Sequence, residues 1–462
     1  MSMTLTARRR TPLLAAAVVV CLVGINAAAP GLNPYLVQIV IYIGINIILA
    51  VSLNLISGFT GQLNLGHAGF MAVGAYLSAG LTFYLGGATQ HALGHVGIPG
   101  WLAGPIVFLI ALLLGGLMAA LCGVLVGLPT LRLRGDYLAI VTLGFGEILR
   151  TIIVQLDVVG AARGFSGIPQ HTTFIWTYAW AALTIIAVRN LMASAHGRAL
   201  ASVREDEMAA QVMGIDTVRY KVIAFAIGAF FAGIAGGLFG HYLMYLNPGM
   251  FSFLRSIEIV LMVVLGGMGS IAGSVVGAII LTVLPEALRT LAGMLAVAYT
   301  LAWVGVLMPC LARPGGARRL AGGAIALAVV AVFATLVSGA DLGEGSRAGV
   351  TPWLGLGTLV LGVAAIVAAG TRRGVPRIAV GVAVGAAFCA LFLFPQILPP
   401  SAAAARDWLS ANVSQLRMVI YAGLLIALML ARPQGILGKA ELTWRVLQSI
   451  FPVVKRRAPA RA

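Results

Sequence analysis

Charge is scarce in this chain, and acidic charge is scarcer still. Only 9% of its 462 residues are charged, with 13 Asp and Glu against 30 Lys and Arg, for a net charge of +17. Set beside 60% hydrophobic residues and a mean hydropathy of +1.02, that poverty excludes a soluble domain and leaves a polytopic membrane protein. The basic excess does not point to nucleic acid. The arginines fall in short clusters between apolar runs, which is how cytoplasmic loops are marked. Cysteine is sparse too: Cys21, Cys122, Cys310 and Cys389 lie within or at the ends of apolar runs, without disulfide or metal spacing. Lysine occurs only at Lys221, Lys439 and Lys455, none of them in a glycine-rich strand–turn–helix setting, so a phosphate-binding loop is excluded. There is no HExxH and no GxSxG before a helix. No catalytic residue, metal site or cofactor is expected in this chain.

What is present is a succession of apolar runs near the 20 residues a membrane span needs. They cover about 12–29, 35–57, 101–128, 137–158, 173–192 and 220–245. Arg8, Arg9 and Arg10 before the first run resemble a secretory signal, but with so many later spans a retained helix is expected. Residues 58–85 carry six glycines, with Gln62, Asn64 and His67 among the first of them, the pattern of a broken or re-entrant segment. His91 and His95 follow at i, i+4 spacing without a third ligand, and are read as part of a solvated loop. Glu147 and Arg150, at i, i+3, can pair on one helix face inside a span. A run at 256–286 is interrupted by Gly266, Gly267, Met268, Gly269 and Ser270, which predicts two half-helices meeting near mid-membrane. Glu258 near its start can pair with Arg255. Four more runs lie between about 292 and 398, and a last one at about 416–430 precedes a basic tail. Alternation places every arginine cluster on one side if 58–85 crosses once and 256–286 returns to the face it left.

Against this background the stretch 197–221 is a polar island. Ser202 and Glu205 have capping-box spacing, Gly214 is placed to stop a helix, and Asp216 to cap the next. The spacing predicts one short helix over roughly 203–213, with Ala209 and Ala210 leaving a surface small enough for close approach. It is either a solvated loop or a helix that docks into a partner's groove.

Several stretches together resemble the permease subunits of branched-chain amino-acid uptake ABC transporters, in particular the M-type, LivM-like branch. They are NLISGFTGQLNLGHAGFMAVGAY (54–76), LRLRGDYLAIVTLGFGEILR (131–150), GFSGIP (164–169), GRALASVREDEMAAQVMGID (197–216), SIEIVLMVVLGGMGSIAGSVVGA (256–278) and RPQGILG (432–438). The resemblance implies an all-α polytopic transmembrane bundle of ABC importer permease type. It implies a multi-pass protein of the bacterial inner membrane, with both termini cytoplasmic. Its implied partners are a homologous H-type permease subunit, two cytoplasmic ATP-binding subunits that carry the ATP and Mg, and a periplasmic solute-binding protein. The 203–214 segment resembles the helix that such permeases seat in their ATPases. Arg204, Glu205, Asp206, Glu207, Ala209, Ala210 and Gly214 are its coupling residues by that resemblance. Met208 stands where the general ABC pattern has Glu.

The translocation path is expected among Asn54, Gln62, Asn64, His67, Glu147, Glu258, Gly266, Gly267 and Gly269. The solute is expected to be leucine, isoleucine, valine or a related amino acid, with urea, short amides and aromatic acids as relatives' alternatives. One departure from the family is large. About 110 residues intervene before the last span, so 1–291 is read as a permease core, 292–405 as an inserted four-helix unit, and 406–462 as the last span and tail. A rival reading is an ion-gradient-driven transporter or channel using Glu147 and Glu258 as coupling carboxylates.

Overall fold

The structure is a computed structural model, and it describes residues 34–95, 99–130 and 136–287. The expected first span, the cluster at 131–135, the runs beyond 287, the basic tail, and Cys21, Cys310 and Cys389 lie outside the described residues, as do the boundaries at 291 and 405. Residues up to Thr282 belong to one unit, and a second begins at Val283.

Eleven helices and one two-stranded ribbon make up the described part. Helix α1 (Pro34–Asn54) starts on a proline, whose missing N–H costs nothing at a first helical position. It runs on through a π turn at Leu55–Phe59. An irregular stretch at 60–66 separates it from α2 (His67–Gly80). A second π turn, Leu81–Leu85, joins α2 to α3 (Gly86–His95). The loop expected around His91 and His95 is therefore helical. The π turn carries the backbone hydrogen bonds of the preceding span onward, with Gly86 N bonded to Thr82 O, in spite of the glycines there. Helices α4 (Gly100–Thr130) and α5 (Asp136–Gln155) follow. After strand β1 (Phe165–Ser166) come α6 (Phe174–Ala193), α7 (Ala195–Glu205), α8 (Glu207–Val212) and α9 (Thr217–Leu243). Strand β2 (Tyr245–Leu246), α10 (Phe253–Gly266) and α11 (Ile271–Ala287) complete it. Six of these segments are long and apolar enough to cross a membrane, so the chain is an all-α, multi-pass membrane protein.

The core is built on backbone contact. Lipid offers no hydrophobic drive between helices, so close packing of small residues has to hold them. Helices α2, α4 and α9 pack against one another. A Cβ on Gly74 would run into the backbone of Gly233, one on Gly236 into Met71, and one on Gly123 into the Ala229 side chain. The small residues at 230–240 thus make the helix contacts their composition predicts. Helix α1 packs on α6 and α9, with Gly44 against Thr177 and Gly228 against Ile56. At one end of the bundle β1 pairs antiparallel with β2, Phe165 opposite Leu246.

Helices α10 and α11 form a hairpin. Gly266 meets Gly273 and, one turn further out, Met262 meets Gly277, a register that only antiparallel helices give. Asn46 ties its open end: Arg255 Nη2 donates to Asn46 Oδ1 at 2.7 Å, and Asn46 Nδ2 donates to Thr282 Oγ1 at 2.7 Å. Fourteen residues of α10 rise only about 21 Å, short of a ~30 Å hydrocarbon core. The segment enters, turns at 267–270 and goes back, as the alternation of arginine clusters requires.

Candidate functional site: two helix breaks beneath a surface helix

The polar island folds into two helices where one was expected. Ser202 does not cap; its hydroxyl donates to the Ala199 carbonyl at 2.8 Å. Asp206 breaks the helix instead and starts the next, its Oδ1 accepting from Met208 N at 2.9 Å and Ala209 N at 3.1 Å. An aspartate satisfies two orphan N–H groups at once, which outweighs continuing α7 by one turn. At the far end Ile215 N bonds Ala210 O and Gly214 N bonds Gln211 O, with Gly214 at φ +82°. That is the left-handed stop expected of this glycine. Asp216 then caps α9 through Arg219 N at 3.1 Å.

Helix α8 has six residues, too few to stand alone. An ion pair holds it to α9: Glu207 Oε1 lies 2.8 Å from Lys221 Nζ, with the lysine side chain only 7% exposed and the glutamate 23%. Gln211 Nε2 donates to Thr217 Oγ1 at 2.9 Å beside it. Glu207 thus faces the bundle, and Ala210 is buried. What α8 turns outward is apolar: Met208 is 55%, Val212 85% and Met213 80% exposed, flanked by exposed Glu205, Asp206, Ala209 and Gly214. An apolar knob with an acidic rim, on a segment that joins two spans, is a surface shaped for a groove. Sequence reasoning missed Val212 and Met213. Apolar residues at i, i+4 and i+5 from Met208, in a segment otherwise polar, were the available signal.

Beneath the island lie the two breaks, at 60–66 and 267–270. Asn54, fully buried, joins them: its Nδ2 donates to Ser270 O at 3.0 Å and its Oδ1 accepts from Gly269 N at 2.9 Å. Gly267 and Gly269 take φ +115° and +85°, which side-chain-bearing residues rarely adopt. Gly58 is pressed so closely on Asn54 and Gly269 that no Cβ fits. Asn64 Oδ1 accepts from Gly66 N at 2.9 Å. Two residues the sequence reading passed over complete the job: Thr142 Oγ1 accepts from Leu65 N at 3.2 Å and Ser256 Oγ from Ala68 N at 3.1 Å. Irregular backbone survives at depth only with such partners.

His67 is buried, its Nε2 2.9 Å from Ser52 Oγ. Ser52 gives its own proton to Leu49 O at 3.0 Å, so the histidine is the donor. His67 Nδ1, both amide atoms of Gln62 and Asn64 Nδ2 are buried without a protein partner.

The structure therefore brings Asn54, Gly266, Gly267 and Gly269 together and sets Gln62, Asn64 and His67 along the neighbouring break. Glu147 and Glu258 stand apart from that cluster, each paired on its own helix, with Arg150 at 2.7 Å and Arg255 at 2.8 Å. Glu147 also lines a narrow crevice with Gly69, Gly146 and Ser256. Among the described residues no group of three or more His, Cys, Asp or Glu could hold a metal.

Residues 35–312 match the family described as branched-chain amino acid transport system permease component. The high-affinity branched-chain amino acid transport system permease protein LivM of Escherichia coli (strain K12) is 38% identical over 280 residues, 53% of this chain and 61% of that protein. A probable LivM of Methanocaldococcus jannaschii is 28% identical over 267 residues, covering 52% and 77%. LivH of Salmonella typhimurium is 34% identical over 127 residues, covering 27% and 41%. The chain spans about 61% of the length of the LivM proteins of Escherichia coli and Salmonella typhimurium. No solved structure matches it. A match over more than half of the chain, on a multi-pass helical bundle with a re-entrant hairpin, places this protein in the branched-chain amino acid transport permease family.

Proposed function

We propose that this chain is a membrane-spanning permease subunit of an ATP-driven ABC importer for branched-chain or related amino acids. It lacks an ATPase site of its own in this reading, and ATP and Mg are bound by two cytoplasmic partner subunits. A homologous H-type permease completes the membrane part, and a periplasmic binding protein delivers the solute. The protein lies in the bacterial inner membrane with α7–α8 and both termini on the cytoplasmic side. The observation that carries this is the apolar knob of Met208, Val212 and Met213 on the connection between α6 and α9.

The knob seats in an ATPase groove, with Glu205, Asp206, Ala209 and Gly214 at its edge. Closure of the ATPase dimer is carried by α7–α8 to the bundle, and access to the solute alternates. The breaks at 60–66 and 267–270 line the solute path, where Gln62, Asn64 and His67 keep polar atoms available. A family whose LivM and LivH proteins are both named for one transport system supports the paired permease. The ion-gradient reading draws no support from Glu147 and Glu258, which are neutralised by their own arginines.

Purification from native membranes in mild detergent tests the assembly. Two P-loop ATPases and a second permease are expected to accompany the chain. Leucine uptake should fail on ATP depletion and withstand an uncoupler. A chain that purifies alone, or uptake that collapses with the ion gradient, overturns the proposal.

A further inference from the structure

The surface helices and the two helix breaks meet at one side chain. Arg204 sits in the last turn of α7 and is half-buried. Its Cγ would be 3.4 Å from a Cβ on Gly61, and its Nη1 lies so close to Gly269 that a Cβ there would overlap it. Gly61 (φ +72°) belongs to the first break and Gly269 (φ +85°) to the hairpin tip. The carbonyl of Gly58 lies at the same point. Asn54 has already tied the tip to α1 through two hydrogen bonds. The guanidinium also stands near the C-terminal end of α10, where the helix dipole favours a cation.

We infer that Arg204 is a positioning residue, a clamp through which displacement of α7–α8 reaches the tip of the re-entrant hairpin. This rests on the importer reading for what displaces α7–α8, though not for the clamp itself. Three segments converge on the guanidinium; Leu63 of the first break and Met268 of the tip are partly exposed, and α7–α8 carries the most exposed apolar face of the three. When a partner draws α7–α8 away, the tip loses its cation and its steric stop, while the Asn54 hydrogen bonds and the Gly58 contact remain. A hairpin held at one end by Asn46 and Arg255 and released at the other is a two-state element. The structure thereby assigns Arg204 an inward role, distinct from the outward knob on α8.

The test uses the full chain in native membranes, with the four native cysteines replaced by alanine. Ser270→Cys places a thiol at a fully buried position of the tip, and its reaction with a small maleimide is timed. Arg204→Met, which keeps the bulk and removes the charge, should speed labelling roughly tenfold, and Arg204→Lys should bring it back to within about threefold. Should Arg204→Met not accumulate, Arg204→Gln is expected to give the same rise. Labelling at the same rate in the variants as in the Arg204 background overturns the clamp. In the assembled transporter, solute taken up per ATP hydrolysed should fall with Arg204→Met and recover with Arg204→Lys, an effect that lost stability alone would not produce. If no ATPase accompanies the chain, the importer reading fails, and the labelling result still judges the clamp.

Discussion

Replacing Glu207 by glutamine removes one charge from the pair that fastens α8 to α9. The ions are 2.8 Å apart, and at an effective dielectric of about 20 their gross attraction is roughly 6 kcal/mol, most of it offset by desolvation. Losing one partner of a fully buried pair costs about 3–5 kcal/mol, and exposed pairs contribute about 0–1. Lys221 is nearly enclosed and Glu207 partly wet, which places this loss at about 2 kcal/mol. Six residues of helix have little stability of their own, so the loss appears as detachment of α8. An energy of that size shifts its opening equilibrium roughly 30-fold. Hydrogen exchange in residues 208–215 should accelerate by about that factor, with α2, α4 and the middle of α9 unchanged. Capture of an ATPase weakens only by the fall in the attached fraction, which is smaller than the rise in exchange as long as α8 stays mostly attached. The double variant Glu207→Leu, Lys221→Met replaces both ions with apolar groups and should lie closer to the parent than Glu207→Gln does. Exchange that rises less than about threefold, or a double variant worse than the single, would refute this reasoning.

Val212→Asp with Met213→Asp should abolish co-purification of ATPase subunits while leaving the amount of chain in the membrane unchanged, since neither side chain is buried. Gly236→Ala should cost about 2–3 kcal/mol or more, read as a lower thermal midpoint in detergent, because its Cβ meets the Met71 backbone. Gly80→Ala, with open space around it, should not. Acidification should loosen the turn before α6. Burial beside Phe108 holds His171 below its ordinary value of 6.5, so the unfolded chain binds more protons, and the stability present above that pH is lost as pH falls through it. In His171→Phe the drop in thermal midpoint between about pH 7.5 and about pH 5.5 should shrink, and an unchanged drop would contradict the assignment.

The span list was legible because burial in lipid imposes length and apolarity on each segment by itself, so α1, α4, α6 and α9 stand within a few residues of their runs. The breaks were legible for a local reason also: Gly266, Gly267 and Gly269 weaken a helix wherever they are put. Capping was only half legible. Asp216 and Gly214 act as read, whereas Ser202 and Asp206 competed for one helix start, and the choice fell to the residue with two N–H groups to satisfy. The helix through His91 was lost because polar composition was read as loop, although π turns carry a span onward without regard to polarity.

Membership in a permease family, the number of described spans and the position of both backbone breaks were determined by the sequence alone, since each follows from local composition or from motif order. Which way a polar residue faces was decided by tertiary structure. Glu207 and Arg204 lie three residues apart in one charged stretch, yet one finds Lys221 and the other the hairpin tip, while Val212 and Met213 find no cover. Asn54 reaches Gly269 and Ser270 across more than 200 residues. Such pairings depend on how helices cross, and crossing is set by where two glycines allow two backbones to touch.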